Sequence, residues 1–183
     1  MIRDVQLNNI LKMTDNELMQ KVVKGWRSKE TPCGAGSELG NTINVRQSLL
    51  EIVEKYNIKT VVDAGAGDLN WMKHLEWDVD YKGYDLYPRH ESVIQFDLTK
   101  GVLPESDLIL CRHVINHLSP DYAQRCIDNF KKSGSKYLAV TNCDRQRDCF
   151  EDGWQITGLE LVETFLDFDH KRNNWELELY LLK

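Results

Sequence analysis

Thr60-Val61-Val62-Asp63-Ala64-Gly65-Ala66-Gly67-Asp68 is the stretch on which the fold turns. Its first half is β-branched and apolar, the composition of a short buried strand. The glycines end that strand and allow a close approach to the backbone that a Cβ would forbid. Downstream, Leu69 to Leu75 has the composition of a helix, Asp80 to Leu86 of a second strand and Ser92 to Asp97 of a third. Asp107-Leu108-Ile109-Leu110-Cys111 reads as a buried fourth strand. Pro120 opens a helix carrying Tyr122, Ala123, Ile127 and Phe130, and Ser133-Gly134 ends it. Tyr137-Leu138-Ala139-Val140-Thr141 is a fifth strand.

Strands alternating with helices imply a parallel sheet. The tail departs from that rhythm. Leu161 to Phe168 and Trp175 to Leu182 are two β-like runs joined through Asp169-His170-Lys171-Arg172-Asn173-Asn174, which reads as a hairpin with an antiparallel strand at the sheet edge. The connections after strands two and three are too short for full helices. Upstream of the glycines, Val45, Leu49, Ile52 and Val53 mark a helix opened by Thr42 or Asn44. Before it, Thr31-Pro32-Cys33-Gly34-Ala35-Gly36 is a loop. Further back, Thr14-Asp15-Asn16-Glu17 is a capping box for a helix through Leu18, Met19, Val22, Val23 and Trp26. The expected organisation is one α/β domain, with a helical arm over 1–57 and a Rossmann-like core over 58–183.

With 183 residues, of which 42% are hydrophobic and 28% charged, the chain can bury its own core without disulfides or metal. Cys33, Cys111, Cys126, Cys143 and Cys149 contain no C-x-x-C pair, so no zinc or thioredoxin-like motif is available and no metal is expected. No apolar run approaches the roughly 20 residues of a membrane span. Met1-Ile2-Arg3-Asp4 is too polar for a signal peptide, so a cytoplasmic, membrane-free protein is expected. The formal charge of −6 argues against a nucleic-acid partner, whose phosphates call for a basic face. A small-molecule or glycan-type substrate fits better.

In an open α/β sheet the ligand lies beyond the carboxyl ends of the strands, where Asp63 and the glycines stand. A dinucleotide site asks for G-x-G-x-x-G, but Asn70 takes the third glycine's place. Asp63 and Asp68 would also repel a pyrophosphate. S-adenosylmethionine carries no phosphate, only a sulfonium and an ammonium, and suits those charges. Asp85 ends strand two, close to the ~20-residue offset at which an acid reaches ribose hydroxyls. Asp97 ends strand three, placed to accept a bond from an adenine amine.

Val61-Val62-Asp63-Ala64-Gly65-Ala66-Gly67, Tyr84-Asp85-Leu86 and Phe96-Asp97-Leu98 resemble the first three motifs of the class I S-adenosylmethionine-dependent methyltransferases. Asp107 to Arg112, with Val114-Ile115-Asn116-His117-Leu118, is similar to that family's fourth strand and the segment after it. The front segment Gly34-Ala35-Gly36-Ser37-Glu38-Leu39-Gly40-Asn41-Thr42, followed by Arg46, resembles a small bacterial and phage-type subgroup. The resemblance implies a three-layer Rossmann-like fold of about seven mostly parallel strands with an antiparallel C-terminal hairpin. It implies S-adenosylmethionine as cofactor and S-adenosylhomocysteine as product. The cofactor would be held by Arg46, Asp63, Gly65, Ala66, Gly67, Trp71, Asp85, Leu86, Asp97, Leu98, Cys111 and Arg112, with Ser37 and Thr42 as hydrogen-bond partners to it.

The acceptor side falls to the segments after strands four and five. No D/N-P-P-Y segment and no P-C nucleophile is present, which leaves O- or N-methylation of something other than the common nucleobase targets. Asn116 and Asn142 are candidate acceptor contacts. Arg145 and Arg147 suit a phosphate or carboxylate, so an anionic acceptor is expected, although Asp144 and Asp148 lie ready to neutralise them. By its place, His117 resembles the general base of some small-molecule methyltransferases. His113, one helical turn earlier, would contact cofactor or acceptor beside it. The competing reading from another class is a non-catalytic S-adenosylmethionine-binding protein of the same fold. A nicotinamide oxidoreductase comes a distant third.

Overall fold

The computed structural model describes residues 28–142, 156–170 and 173–183. Seven strands form one sheet: β1 Thr60–Ala64, β2 Asp80–Asp85, β3 Ile94–Gln95, β4 Leu108–Cys111, β5 Tyr137–Asn142, β6 Glu160–His170 and β7 Asn173–Leu181. Their order is β3-β2-β1-β4-β5-β7-β6. The first five are mutually parallel, and β7 runs antiparallel to both β5 and β6. The antiparallel strand is therefore second from the edge, because the hairpin folds β7 inward and leaves β6 outside. Strand order reverses between β1 and β4, the switch point at which open α/β sheets bind ligands.

Two α-helices among the described residues cover the two faces. Helix α1 (Ile43–Lys55) buries Val45, Leu49 and Ile52 against Val61, Leu108, Leu110, Leu177 and Leu179. Helix α2 (Pro120–Lys132) buries Ala123, Cys126, Ile127 and Phe130 against Val62, Ala64, Ile109, Leu138 and Val140. The two sets alternate along each strand, since successive side chains point to opposite faces. Leu108 to Cys111 are wholly buried, so β4 reads as an unbroken apolar run instead of an alternating one. Proline at its first turn, Asp121 near its start and Lys131 and Lys132 at its end suit α2 to the helix dipole. Gly134, at φ +76°, supplies the left-handed residue that ends the turn.

The expected helix over Leu69 to Leu75 shrinks to a 3-10 turn, Met72–His74. Its first turn is taken apart by side chains. Leu69 sits at φ +58°, the Asp68 carboxylate accepts from the Asn70 N–H, and Asn70 Nδ2 donates to Glu30 (2.6 Å) and the Ser37 carbonyl (3.0 Å). The third strand is likewise cut to two residues, and no helix follows β2 or β3. Asn41 and Thr42 close a 3-10 turn (Leu39–Thr42) before α1 starts at Ile43. The capping-box helix around Thr14 lies outside the described residues.

Candidate functional site

A cavity of about 520 Å³ opens at the carboxyl ends of β1, β2 and β4, in the size range of small-molecule sites. Asp63, Gly65, Ala66, Gly67, Trp71, Asp85, Leu86, Asp97, Leu98, Arg112, His113 and His117 all line it, so most of the expected site converges. The segment Cys33 to Ser37 covers it from the front and Trp175 of β7 from the side.

The glycine loop is not an anion cradle. Gly65 N–H and Ala66 N–H donate to the Tyr84 carbonyl (2.7 and 3.1 Å), and Gly67 N–H donates to Asp85 Oδ2 (2.9 Å). With those donors consumed and no α-helix following, nothing here resembles a pyrophosphate site. The glycines serve close packing instead. A Cβ on Gly65 would stand 2.1 Å from Val114 Cγ2, and one on Gly67 would stand 2.7 Å from Cys33 Sγ. Both hold positive φ, +115° and +59°.

The cavity is acidic on the glycine side. Asp63 is 4% exposed, accepts a hydrogen bond from the Tyr81 hydroxyl (2.7 Å) and has its carboxyl raised to about 7. Burial is the main cause, with the Asp85 charge adding to it, while Tyr81 and Arg112 pull the other way. Asp85 also accepts from the Tyr87 N–H (2.8 Å). Burial pushes Asp97 up, but the Lys100 ammonium (2.8 Å) and the Thr99 hydroxyl and N–H outweigh it and hold its carboxyl below the usual range.

Opposite these stands a buried ion pair. Asp167, on β6, is completely buried and accepts from Arg112 Nε (2.7 Å) and Thr141 Oγ1 (2.8 Å). Burial would raise this carboxyl, yet Arg112, then His113 and Thr141, bring it down to about 2. Arg112 Nη1 donates to the Gly36 carbonyl (2.8 Å), and its guanidinium lies 5.4 Å from the Trp71 ring centre. Arg112 Nη2 is buried without a partner among the described residues, an orphan donor at the cavity wall.

The front segment is pinned to the glycine loop. Thr31 Oγ1 donates to Asp68 Oδ2 (2.7 Å), and Arg89 Nη1 donates to the Pro32 carbonyl (2.6 Å). Arg46 is not brought to the cavity. Its Nε and Nη2 donate to the carbonyls of Thr42 (3.3 Å) and Leu39 (3.1 Å). Thr42 Oγ1 is spent on the Glu38 and Leu39 carbonyls, whereas Ser37 does line the cavity. Cys111 is wholly buried behind the wall, which begins at Arg112. Asn116 is buried beneath it, with Nδ2 3.3 Å from His117 Nε2. The Asn142 side chain, Arg145 and Arg147 lie outside what is described.

His113 and His117 do not share a helix face. The segment forms only a 3-10 turn, Ile115–His117, and His113 has φ +53°. Burial, then the neighbouring His113, lowers His117 to about 4. Burial and Arg112 also lower His113, with Asp167 resisting. Asp167 and Trp175 are among the site residues that sequence reasoning passed over. A signal existed for the first: Phe165 and Asp167 share one face of β6, so an acid occupies the apolar phase of a strand. Among the described residues, no group of three or more His, Cys, Asp or Glu side chains converges as metal ligands. Nor is any helix there long and apolar enough to cross a membrane.

No protein-family model matches the chain, and no curated protein matches it in sequence. Solved structures do match in shape. Magnesium protoporphyrin IX methyltransferase from Synechocystis PCC 6803 with bound S-adenosylhomocysteine superposes with a TM-score of 0.57 at 13% identity, over 88% of this chain and 92% of that one. The same enzyme with bound S-adenosylmethionine gives 0.56 at 17% identity, over 74% and 77%. The N-methyltransferase NodS from Bradyrhizobium japonicum WM9 gives 0.54 at 15% identity, over 75% and 93%. The chain therefore has the Rossmann-like methyltransferase fold, with its seven-stranded sheet and antiparallel C-terminal hairpin.

Proposed function

We propose that the protein is a class I S-adenosylmethionine-dependent methyltransferase acting in the cytoplasm on an O or N atom of a small molecule or glycan-type acceptor. One observation carries the reading: the acids ending β1 and β2, with Asp97 after β3, line one cavity whose glycine loop keeps no backbone donors for a phosphate. Neighbours of the same fold hold S-adenosylmethionine and S-adenosylhomocysteine. The residues fit that ligand. Asp97 and Leu98 would take the adenine, Asp85 and Leu86 the ribose, and Gly65, Ala66 and Gly67 the thioether chain. Asp63 would face the ammonium. The orphan Arg112 Nη2 suits the carboxylate, which Arg46, spent on backbone carbonyls, does not reach. When bound, the cofactor supplies an electrophilic methyl group on a sulfonium.

The chain's own part is to align an acceptor lone pair with that methyl group and to take up the acceptor proton. Two imidazoles, His113 and His117, line the cavity. Arg145 and Arg147 would hold an anionic group on the acceptor, and unchanged kinetics for the Arg145→Ala/Arg147→Ala double variant would remove that part of the reading. The test is incubation of the protein with methyl-labelled S-adenosylmethionine and the small-molecule fraction of a bacterial extract. Label should pass to a discrete acceptor. Cofactor binding without any transfer would favour the non-catalytic binding protein.

A further inference from the structure

The two imidazoles differ in what surrounds them. His117 is half-buried, with Nε2 against Asn116 Nδ2. His113 sits between a carboxylate and the cavity. Its Nε2 is buried 3.4 Å from Asp167 Oδ2, close but out of hydrogen-bonding alignment, and has no aligned partner among the described residues. Its other edge faces the front segment: a Cβ on Gly36 would stand 3.8 Å from both Nδ1 and Cε1. The ring and its backbone are both held in place. Trp175 packs on it at 4.8 Å between centroids, the His113 N–H donates to Thr141 Oγ1 (3.2 Å), and φ of +53° turns the residue away from helical geometry. Asp167 is held in turn by Arg112 Nε and Thr141 Oγ1.

An imidazole that lines a ligand cavity, with one nitrogen beside a buried carboxylate and the other along the segment of Gly36, itself a lining residue, can serve as an oriented base. Catalytic hydrogen bonds are often long in the unliganded state and shorten with substrate present. We infer that His113 takes the acceptor proton and that Asp167 is its positioning residue, holding the proton on Nε2 so that the Nδ1 lone pair faces the cavity. The inference rests on the methyltransferase reading. In the step it describes, the acceptor O–H or N–H bond breaks and its proton goes to Nδ1. The pair left on the acceptor atom bonds the methyl carbon of a sulfonium donor, and the carbon–sulfur pair leaves with sulfur. The Asp167 charge stabilises the resulting imidazolium. Besides Asp167, the charged or titratable groups around the ring are Arg112, which opposes its protonation, and His117, whose own protonation is opposed by His113.

The experiment joins a tautomer measurement that needs no ligand to a rate measurement. Nitrogen-15 NMR of histidine-labelled full-length protein reports which nitrogen of each imidazole holds the proton and at what pH it titrates. His113 should be neutral at pH 7 with its proton on Nε2, and Asp167→Asn should abolish that preference. Label transfer to the extract's small-molecule fraction should fall about 100-fold or more for Asp167→Asn and for His113→Asn, the scale of general-base catalysis. Asparagine adopts a positive φ readily, so His113→Asn keeps the backbone should Asp167→Asn fail to fold. S-adenosylhomocysteine affinity should stay within about threefold of wild type for His113→Asn, and the pH midpoint of transfer should follow His113's NMR titration. The inference is overturned by a proton found on Nδ1, by transfer within about threefold of wild type in His113→Asn, or by a pH midpoint that follows His117. A wild-type protein that binds no S-adenosylhomocysteine would instead overturn the reading beneath it, whatever the tautomer.

Discussion

Replacing Asp63 with asparagine should make the empty protein more stable while making it a poorer binder. Asp63 sits at the end of β1, 4% exposed, with its carboxyl raised to about 7 by burial. An unfolded chain would ionise it near 3.9. Between roughly pH 4 and pH 7 the folded state therefore holds a proton that the unfolded state has lost, so stability falls as pH rises through that window and is level above it. At about 1.4 kcal/mol per pKa unit, the ionised carboxylate costs the empty fold up to about 4 kcal/mol at pH 8. Asparagine keeps a hydrogen-bond partner for Tyr81 and removes the charge. Recovery of even ~1 kcal/mol would raise Tm by about 2–4 °C in a chain of this size. The gain should be present at pH 8 and absent at pH 4.

The same charge is what a cationic ligand would neutralise. In wild type, S-adenosylmethionine affinity should drop about tenfold for each pH unit below 7, since a proton must leave before the ion pair forms. In Asp63→Asn it should be weaker at pH 8 and nearly independent of pH. Scanning calorimetry without ligand and titration calorimetry across pH 5.5–8.5 supply both readings. Equal stability of the two proteins at pH 8, together with a flat pH profile in wild type, would refute the argument that this carboxylate is held against its charge for a cation.

Three further outcomes follow from the packing and the loop. Asp85→Ala should weaken S-adenosylhomocysteine binding by roughly 1–3 kcal/mol, through lost ligand contacts and through release of the Gly67 N–H that Asp85 accepts, as titration calorimetry would show. Gly65→Ala should abolish binding or lower Tm sharply, because the added methyl would stand 2.1 Å from Val114 Cγ2 at φ +115°; a variant with wild-type affinity and Tm would contradict the packing role given to the loop. Phe130→Ala, which empties one of the largest wholly buried positions in the α2 face, should cost about 3–5 kcal/mol in urea unfolding while sparing the cavity.

The sheet was legible because its signals are local. Val61 to Asp63 and Leu108 to Cys111 carry apolar runs whose burial needs no partner identity, and glycines punctuate the first of them. The acids at 63, 85 and 97 could be placed because a strand end in a parallel sheet has only one edge to reach. Arginines were harder. Arg46 and Arg112 are both expected cofactor contacts, but a helical side chain leans toward its own N-terminus, and Arg46 is consumed by the Leu39 and Thr42 carbonyls just behind it. Arg112 follows a strand and meets Asp167, the Gly36 carbonyl and Trp71 at the cavity wall. Asp167 and Trp175 belong to the tail hairpin, whose sequence signals strand pairing but not position in the sheet; folding β7 between β5 and β6 is what carries both residues to the site. The helix over Leu69 to Leu75 failed for a reason invisible to periodicity: the partners that unwind it, Glu30 and the Ser37 carbonyl, lie over 30 residues upstream.

Titration calorimetry of the full chain at pH 8 with S-adenosylhomocysteine, and separately with NAD, tests the central claim most directly. The acidic, phosphate-poor cavity predicts saturable one-to-one binding of S-adenosylhomocysteine and no detectable heat from NAD. NAD binding as tight as that of S-adenosylhomocysteine, or no binding of S-adenosylhomocysteine at all, would contradict it.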